Sequence, residues 1–351
     1  MYKYLIIYHR EDNDGLFSGA LFYNYLLTSL HIDKNDIQLL GGDYNNLETW
    51  AAQHCNIEEL KEKYENIIMT DISFNEKYMK LLYDNYGSKF IWCDHHKPII
   101  NASFKYKFDN CPGIRNTSKS AILCVYEYLY DQFNEVYSTI DGHANPYFPE
   151  LLRILSGWDS WSYEREGYNF DYVRNVNKGV LAVLKLDFEN VLKKVSETIN
   201  IYTNNPGYNN LTGEVDFIQE MYNIGKTLNE YEDNVMTDII KNSGDCSWQV
   251  RFDDKDKGRP LYHKACAIFH QGSTNSTMFK CIKNKGINHG LVFKHQPNGN
   301  WVLSMYNVSE DEWTHCGEFL KERYNGGGHK GAAGCTLTQE QFISILQNKT
   351  L

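Results

Sequence analysis

The sequence predicts an α/β protein built on a doubly wound, mainly parallel sheet, followed by a helical linker and a smaller mixed α/β domain. Three observations carry that expectation. Short apolar runs alternate with helical patterns over the first 110 residues, as strand–helix–strand units require. Three of those runs end in polar clusters, at His9–Asp14, Asp71 and Asp94–His96, and parallel strands deliver ligand groups at their carboxyl ends. After Asp245 the pattern changes to closely spaced strands. The implied boundaries are 1–180 for the first domain, 181–244 for the linker and 245–351 for the second domain.

Tyr4–His9 (YLIIYH) reads as a strand buried on both faces, and Leu16–Leu27 as the helix that follows it. Ile37–Leu40, Ile67–Thr70 and Phe90–Cys93 read as further strands, separated by helical patterns such as Glu76–Tyr86. A helical pattern covers Ser118–Phe133, and another begins over Pro149–Gly157. Residues 181–242 read as long helices broken at Asn204-Asn205-Pro206-Gly207, where Pro and Gly punctuate the pattern. In the second domain Trp248–Phe252, Leu261–Phe269, Met278–Ile282, Leu291–Lys294 and Trp301–Tyr306 read as strands. A helix at Asp311–Tyr324, the glycine run Gly326–Gly328 and a helix at Thr338–Gln347 follow.

Composition narrows the function classes. The 351 residues suffice for two hydrophobic cores. Lys and Arg number 35 against 45 Asp and Glu, a net charge of −10. That balance argues against a stable complex with duplex DNA, because neutralising phosphates takes cations. Nine cysteines, an odd count without a C-x-x-C pair, fit reduced thiols better than a disulfide framework or a zinc ribbon. No apolar run approaches the roughly 18 residues of a membrane span, and the first residues lack a signal-peptide layout. A cytoplasmic protein with no membrane partner is expected.

The chemistry-bearing residues sit at the strand ends. His9-Arg-Glu-Asp12-Asn-Asp14-Gly15 leaves one strand and enters a helix, and Gly15 permits a tight turn there. Asp94-His95-His96 offers one carboxylate and two imidazoles, Asp71 ends the strand between, and Asp159 is flanked by Trp158 and Trp161. Histidine nitrogen mixed with carboxylate oxygen suits Mn²⁺, Fe²⁺, Co²⁺ or Zn²⁺ better than Ca²⁺. Two such cations about 4 Å apart can hold a bridging hydroxide and polarise a phosphoryl group. Each residue alone has a plainer reading. D-x-D is common after strands, paired histidines can cap a loop, Asp71 can cap a helix and Asp159 can close a turn. Their conjunction at successive strand ends favours a metal centre.

The segments HREDNDG, IIMTD, CDHH and GWDSW, followed by GGGHKGAAG at 326–334, resemble the DHH/DHHA1 phosphoesterase superfamily. Its members include RecJ-type exonucleases, nanoRNases, cyclic-dinucleotide phosphodiesterases and family II inorganic pyrophosphatases. The resemblance implies two divalent cations, Mn²⁺ foremost, with Mg²⁺ or Co²⁺ as alternatives. His9, Asp12 and Asp71 would hold one, and Asp14, Asp71, His95 and Asp159 the other. Asp94 would orient His95, and His96 would face the substrate phosphate. Gly326, Gly327, Gly328 and His329, with Lys330, would grip the substrate, and closure of the second domain would bring His329 onto the phosphate. One spacing differs from many members, which place the first histidine four residues before the first aspartate. Here His9 stands three before Asp12, and Tyr8 takes the four-back position.

The function so implied is hydrolysis of short single-stranded oligonucleotides or cyclic nucleotides, with a homodimer left open. Two alternatives stand beside it. One is an inorganic pyrophosphatase or exopolyphosphatase, although family II pyrophosphatases lack the GGGH segment. The other is a non-catalytic nucleotide-binding protein with a degenerate site. Arg115, ahead of Thr117-Ser118-Lys119-Ser120 and a helix start, suits an anion contact, or Ser118 simply caps that helix. Trp161 and Tyr306, near the two motif clusters, are candidates for base stacking.

Overall fold

Strand β1 (Tyr2–His9) lies at the centre of a four-stranded parallel sheet ordered β2-β1-β3-β4, with β2 at Ile37–Gly42, β3 at Tyr64–Thr70 and β4 at Phe90–Cys93. The computed structural model describes residues 2–96, 108, 110–130, 148–204, 212–254, 259–272, 274, 276–283, 285–308, 315–328 and 330–351. The chain divides into two units, Met1–Leu228 and Asn229–Leu351.

In the first unit, successive side chains of β1 enter opposite cores, as the period of two dictates. Leu5 and Ile7 pack with Leu47, Met69, Met79 and Trp92, whereas Ile6 and Tyr8 pack with Leu16, Phe17, Ile68 and Cys93. Burial on both faces explains why the strand reads as an unbroken apolar run. Helices α2 (Tyr44–His54), α3 (Ile57–Lys63) and α4 (Glu76–Tyr86) supply residues to the first of these cores. Helices α1 (Asn13–Thr28), α5 (Ala121–Tyr130), α6 (Glu150–Asp159), α7 (Phe170–Leu184) and α8 (Phe188–Asn204) supply the other. The expected double winding is therefore present. Because the order runs 2-1-3-4, the connections diverge between β1 and β3, the switch point where such sheets open a crevice at their carboxyl ends.

The stretch expected as a linker is instead divided. Val191, Val195, Ile199, Ile218 and Met221 are buried in the first unit's core, and the unit boundary falls inside α9 (Thr212–Ser243). Ile240, near the end of α9, belongs to a second-unit cluster with Cys266 and Ile268. The amphipathic helices read as a connector hide their apolar stripe rather than spanning solvent.

The second unit is a six-stranded mixed sheet ordered β5-β6-β7-β8-β10-β9. Its strands are β5 (Asp245–Asp254), β6 (Arg259–Phe269), β7 (His289–His295), β8 (Trp301–Asn307), β9 (Gly327–Gly328) and β10 (Ala332–Leu337). Helices α10 (Cys316–Tyr324) and α11 (Gln339–Asn348) accompany it, and a Thr338–Gln341 capping box starts α11. One expectation fails here. Met278–Ile282 is not a strand but part of a 3₁₀ helix, Ser276–Ile282, that buries Met278, Phe279 and Ile282. The segment between the last two helices is a hairpin: β9 pairs with β10, and β10 with β8. Of the expected helix Asp311–Tyr324, residues 311–314 lie outside the described residues, as do 131–133 of Ser118–Phe133. Among the described residues no helix is long and apolar enough to cross a membrane.

Helices α7 and α9 approach each other through glycine. A Cβ on Gly225 would stand 1.8 Å from the Asn175 carbonyl oxygen and 2.8 Å from the Gly179 nitrogen. One on Gly179 would stand 2.0 Å from the Met221 carbonyl oxygen. Helix propensity alone favours Gly→Ala by about 1 kcal/mol, but overpacking costs about 1–3 kcal/mol. Gly225→Ala is therefore expected to lower Tm by about 2–4 °C per kcal/mol of net loss. Gly213→Ala on the same helix, where a Cβ meets nothing within 4 Å, is not. Thermal unfolding of the two variants checks this, and equal behaviour would contradict it.

Candidate metal centre

Four segments bring their polar groups to the carboxyl ends of β1, β3 and β4. Asp12 caps α1, its Oδ1 accepting the Gly15 amide at 2.9 Å. Glycine is required at 15 because a Cβ there would stand 2.1 Å from the His9 carbonyl oxygen. Asp14, in the first turn of α1, is buried and faces the start of α5. Its Oδ2 accepts the Ala121 amide at 2.7 Å and its Oδ1 the Ile122 amide at 2.9 Å. Helix amides at an N-terminus favour an anion, and here the anion is an aspartate from the chain itself. That displaces Ser118 from the capping role, and Ser118 bonds to Asn116 instead.

Asp71 follows β3 directly, buried, with φ at +58° and its amide donating to the Cys93 carbonyl at 3.0 Å. Asp is among the few residues that tolerate the left-handed region. Its two oxygens point to different neighbours: Oδ2 lies 3.6 Å from His9 Nδ1, and Oδ1 lies 3.3 Å from His95 Nε2. His9 Nδ1 is also 3.1 Å from Asp12 Oδ2. His95 Nε2 is 3.5 Å from Asp14 Oδ2 and 3.2 Å from Asp159 Oδ2. The three-residue spacing of His9 from Asp12 thus places the ring in the cluster. Tyr8 points the other way, its ring against Phe188 and close to Gly19 and Gly41.

Asp94 is fully buried and does not bond to the His95 ring, contrary to expectation. Its Oδ1 accepts the His95 amide at 2.6 Å and the His96 amide at 3.1 Å, and lies 2.8 Å from His96 Nδ1. Its Oδ2 accepts Trp92 Nε1–H at 3.2 Å. Asp94 therefore sets the main chain of the dipeptide and the ring of His96. Arg115 is not an anion contact either. Its guanidinium donates to the carbonyls of Trp92, Phe108, Cys111 and Pro112 and lies over the Trp92 ring, which fastens the loop after β4. Asn13, passed over between the two carboxylates, is buried and bonds to Asn177 Oδ1 at 2.7 Å. Its only sequence signal is a polar residue on the inward side of a helix start.

Ligand atoms fall into three groups whose members lie within 4.8 Å of one another: His9–Asp12–Asp71, Asp14–His95–Asp159 and Asp71–His95–His96. Asp71 belongs to two of them. Asp71 Oδ1 and Asp159 Oδ2 are buried without a hydrogen bond, a costly state for a carboxylate oxygen unless a cation takes it. Among the described residues no lysine or arginine reaches Asp12, Asp14, Asp71, Asp94 or Asp159. The donor set, imidazole with carboxylate, fits a borderline divalent cation.

Electrostatics follow from the crowding. Burial works against charge on His9, but the adjacent carboxylates of Asp12 and Asp71 raise it to about 10. Burial likewise opposes charge on His95, and Asp71, Asp14 and Asp159 raise it to about 10. Burial pushes Asp14 up to about 7, with repulsion from Asp71 adding to it, and raises Asp159 well above the usual carboxylate range. Asp71 goes the other way: the close imidazoles of His9 and His95 overcome its burial and hold it at about 2.

In the second unit, the Gly326 amide is spent on the Leu320 carbonyl at the end of α10, and Asn325 takes the left-handed cap. Gly327 and Gly328 form β9, and Lys330 is exposed. His329 lies outside the described residues.

No family model matches the chain, and no curated protein matches it. Among solved structures it is similar to a pGpG-specific phosphodiesterase from Vibrio cholerae, with 12% identity, 99% of this chain and 97% of that chain covered, and a TM-score of 0.48. It is also similar to an uncharacterized protein from Helicobacter pylori G27, with 17% identity, coverage of 99% and 100%, and a TM-score of 0.37. A third is an exopolyphosphatase-related protein from Bacteroides fragilis, with 14% identity, coverage of 99% and 91%, and a TM-score of 0.44. The functional reading rests on the side chains of this chain.

The raised imidazoles give a pH prediction. A histidine with a raised pKa stabilises the folded chain below its ordinary value of 6.5 and loses that contribution as pH climbs through about 10. At pH 7.5 His9 and His95 therefore carry protons that a cation must displace. With Asp159 also raised well above the carboxylate range, Mn²⁺ binding is expected to release two or more protons per chain and to tighten as pH rises. Calorimetry in buffers of different ionisation enthalpy measures this. A binding heat independent of buffer would contradict it.

Proposed function

We propose that the chain is a two-metal phosphoesterase that hydrolyses phosphodiester bonds of short single-stranded oligonucleotides or cyclic nucleotides. One observation carries the reading. The two oxygens of Asp71 face two separate His–Asp groups at the switch point of the sheet. His9, Asp12 and Asp71 would hold one cation, and Asp14, Asp71, His95 and Asp159 the other. When bound, the pair supplies Lewis acidity to a phosphoryl centre and lowers the pKa of a water.

The chain's own groups complete the chemistry. His96, the most exposed of the three rings at 34% of its side chain, would hydrogen-bond a non-bridging phosphate oxygen, in the orientation fixed by Asp94. Such donors count most where charge develops in the transition state. Asp14 stays anchored to α5, so its orientation does not depend on the ligand. Among the described residues no Lys or Arg pairs with the aspartates of the cluster, and the chain is acidic overall, which favours small substrates met through metal over long polyanions held by many phosphate contacts.

The test is turnover by the purified chain with Mn²⁺ across pyrophosphate, a linear dinucleotide, longer single strands and a cyclic dinucleotide. A nucleotide diester should be cleaved fastest. Asp71→Asn, which keeps a residue suited to the left-handed backbone, should lower the rate at least about 100-fold. No turnover of any nucleotide diester, or undiminished turnover by Asp71→Asn, would overturn the reading.

A further inference from the structure

Trp161 combines two features that a protein does not adopt without compensation. It is 59% exposed, although a large aromatic gains most from burial. It also holds φ at +55°, a genuine outlier for a bulky side chain. It stands two residues beyond Asp159, hence within roughly 7 Å of it between Cα atoms. Its ring lies 6.1 Å from Trp158 at 24° and 6.1 Å from Phe170 at 23°, and those two rings are 5.7 Å apart. Tyr163 adds a third neighbour at 6.3 Å and 53°, and with these rings against it Trp161 still keeps more than half of its surface open to solvent. Tyr306, the other stacking candidate, is buried with its hydroxyl donating to Thr274 Oγ1, and offers no open face.

We propose that Trp161 is the platform on which a nucleobase stacks while the adjoining phosphate lies at Asp159 and its partners. Trp158, Tyr163 and Phe170 pack against the indole, so its exposed part is held in place instead of swinging freely. A preorganised face loses little entropy when a base arrives, and stacking is open to every base because each has a π-face. An acidic chain with its carboxylates gathered at the site gains more from such a contact than from charge. This inference rests on the phosphoesterase reading and deepens it by assigning the residue that holds the substrate's base.

The test separates the two. Binding of a nucleoside 5′-monophosphate and of ribose 5-phosphate is measured with Mn²⁺ present, for the wild type, Trp161→Phe and Trp161→Asn. The wild type should prefer the nucleotide by about 5- to 150-fold. Trp161→Asn should bring that preference close to one, and Trp161→Phe should keep most of it. Asparagine accepts the left-handed backbone, so Tm should fall by no more than about 2 °C, which excludes misfolding as the cause. With a dinucleotide substrate, Trp161→Asn should raise KM far more than it lowers kcat. A base preference that survives Trp161→Asn overturns the platform. Absence of turnover by the wild type overturns the phosphoesterase reading instead, while the binding ratio still decides Trp161.

Discussion

Like charge forced together in a dry place is the constraint on which the first unit depends. Asp14 and Asp159 offer oxygens within 4.8 Å of each other, and buried Asp71 shares His95 with them. At an effective dielectric constant of about 20, two unit charges at that separation repel by about 3 kcal/mol, a sizeable share of a domain's net stability. Protons on His9 and His95 offset it, and so does protonation of Asp14 and Asp159. A divalent cation would do so more fully, replacing protons whose retention depends on pH. Crowding of this kind is a liability for folding alone and an asset for binding metal.

The architecture makes the crowding achievable. Adjacent parallel strands β1 and β3 end side by side, so His9 and Asp71 are neighbours by topology. The left-handed turn at Asp71 aims one carboxylate at both groups. Asp14 reaches the centre from α1 while the first amides of α5 neutralise its reverse side, and Asp94 beneath them fixes His96. The positioning groups are helix ends and buried carboxylates, each held by main-chain amides. The aromatic wall of Trp158, Trp161 and Phe170 continues from the same helix that carries Asp159.

Much of this was legible in the sequence, because the strands of the first unit are buried on both faces and their polar ends stand out against apolar runs. His9, Asp12, Asp14, Asp71 and His95 stood out that way and Asp159 by its tryptophan flanks, the resemblance assigned all six to cations, and the structure brings their ligand atoms together. What the sequence hid depends on long-range partners. Arg115 resembles any cation before a helix until four carbonyls claim it. Asp94 sits beside both histidines in sequence, and only the loop geometry decides which ring it holds. The hairpin of β9 and β10 is built from Gly and Ala, whose strand propensity is weak, and pairing with β8 overrides it. Ser276–Ile282 is short and apolar, a run in which strand and helix look alike.

If Asp71 joins two cation sites into one centre, electron paramagnetic resonance of the Mn²⁺-loaded chain shows it. Two Mn²⁺ per chain are expected at saturation, with the signal of an exchange-coupled pair, and loss of that coupling in Asp71→Asn. A single Mn²⁺, or two that remain magnetically independent in the wild type, would contradict it.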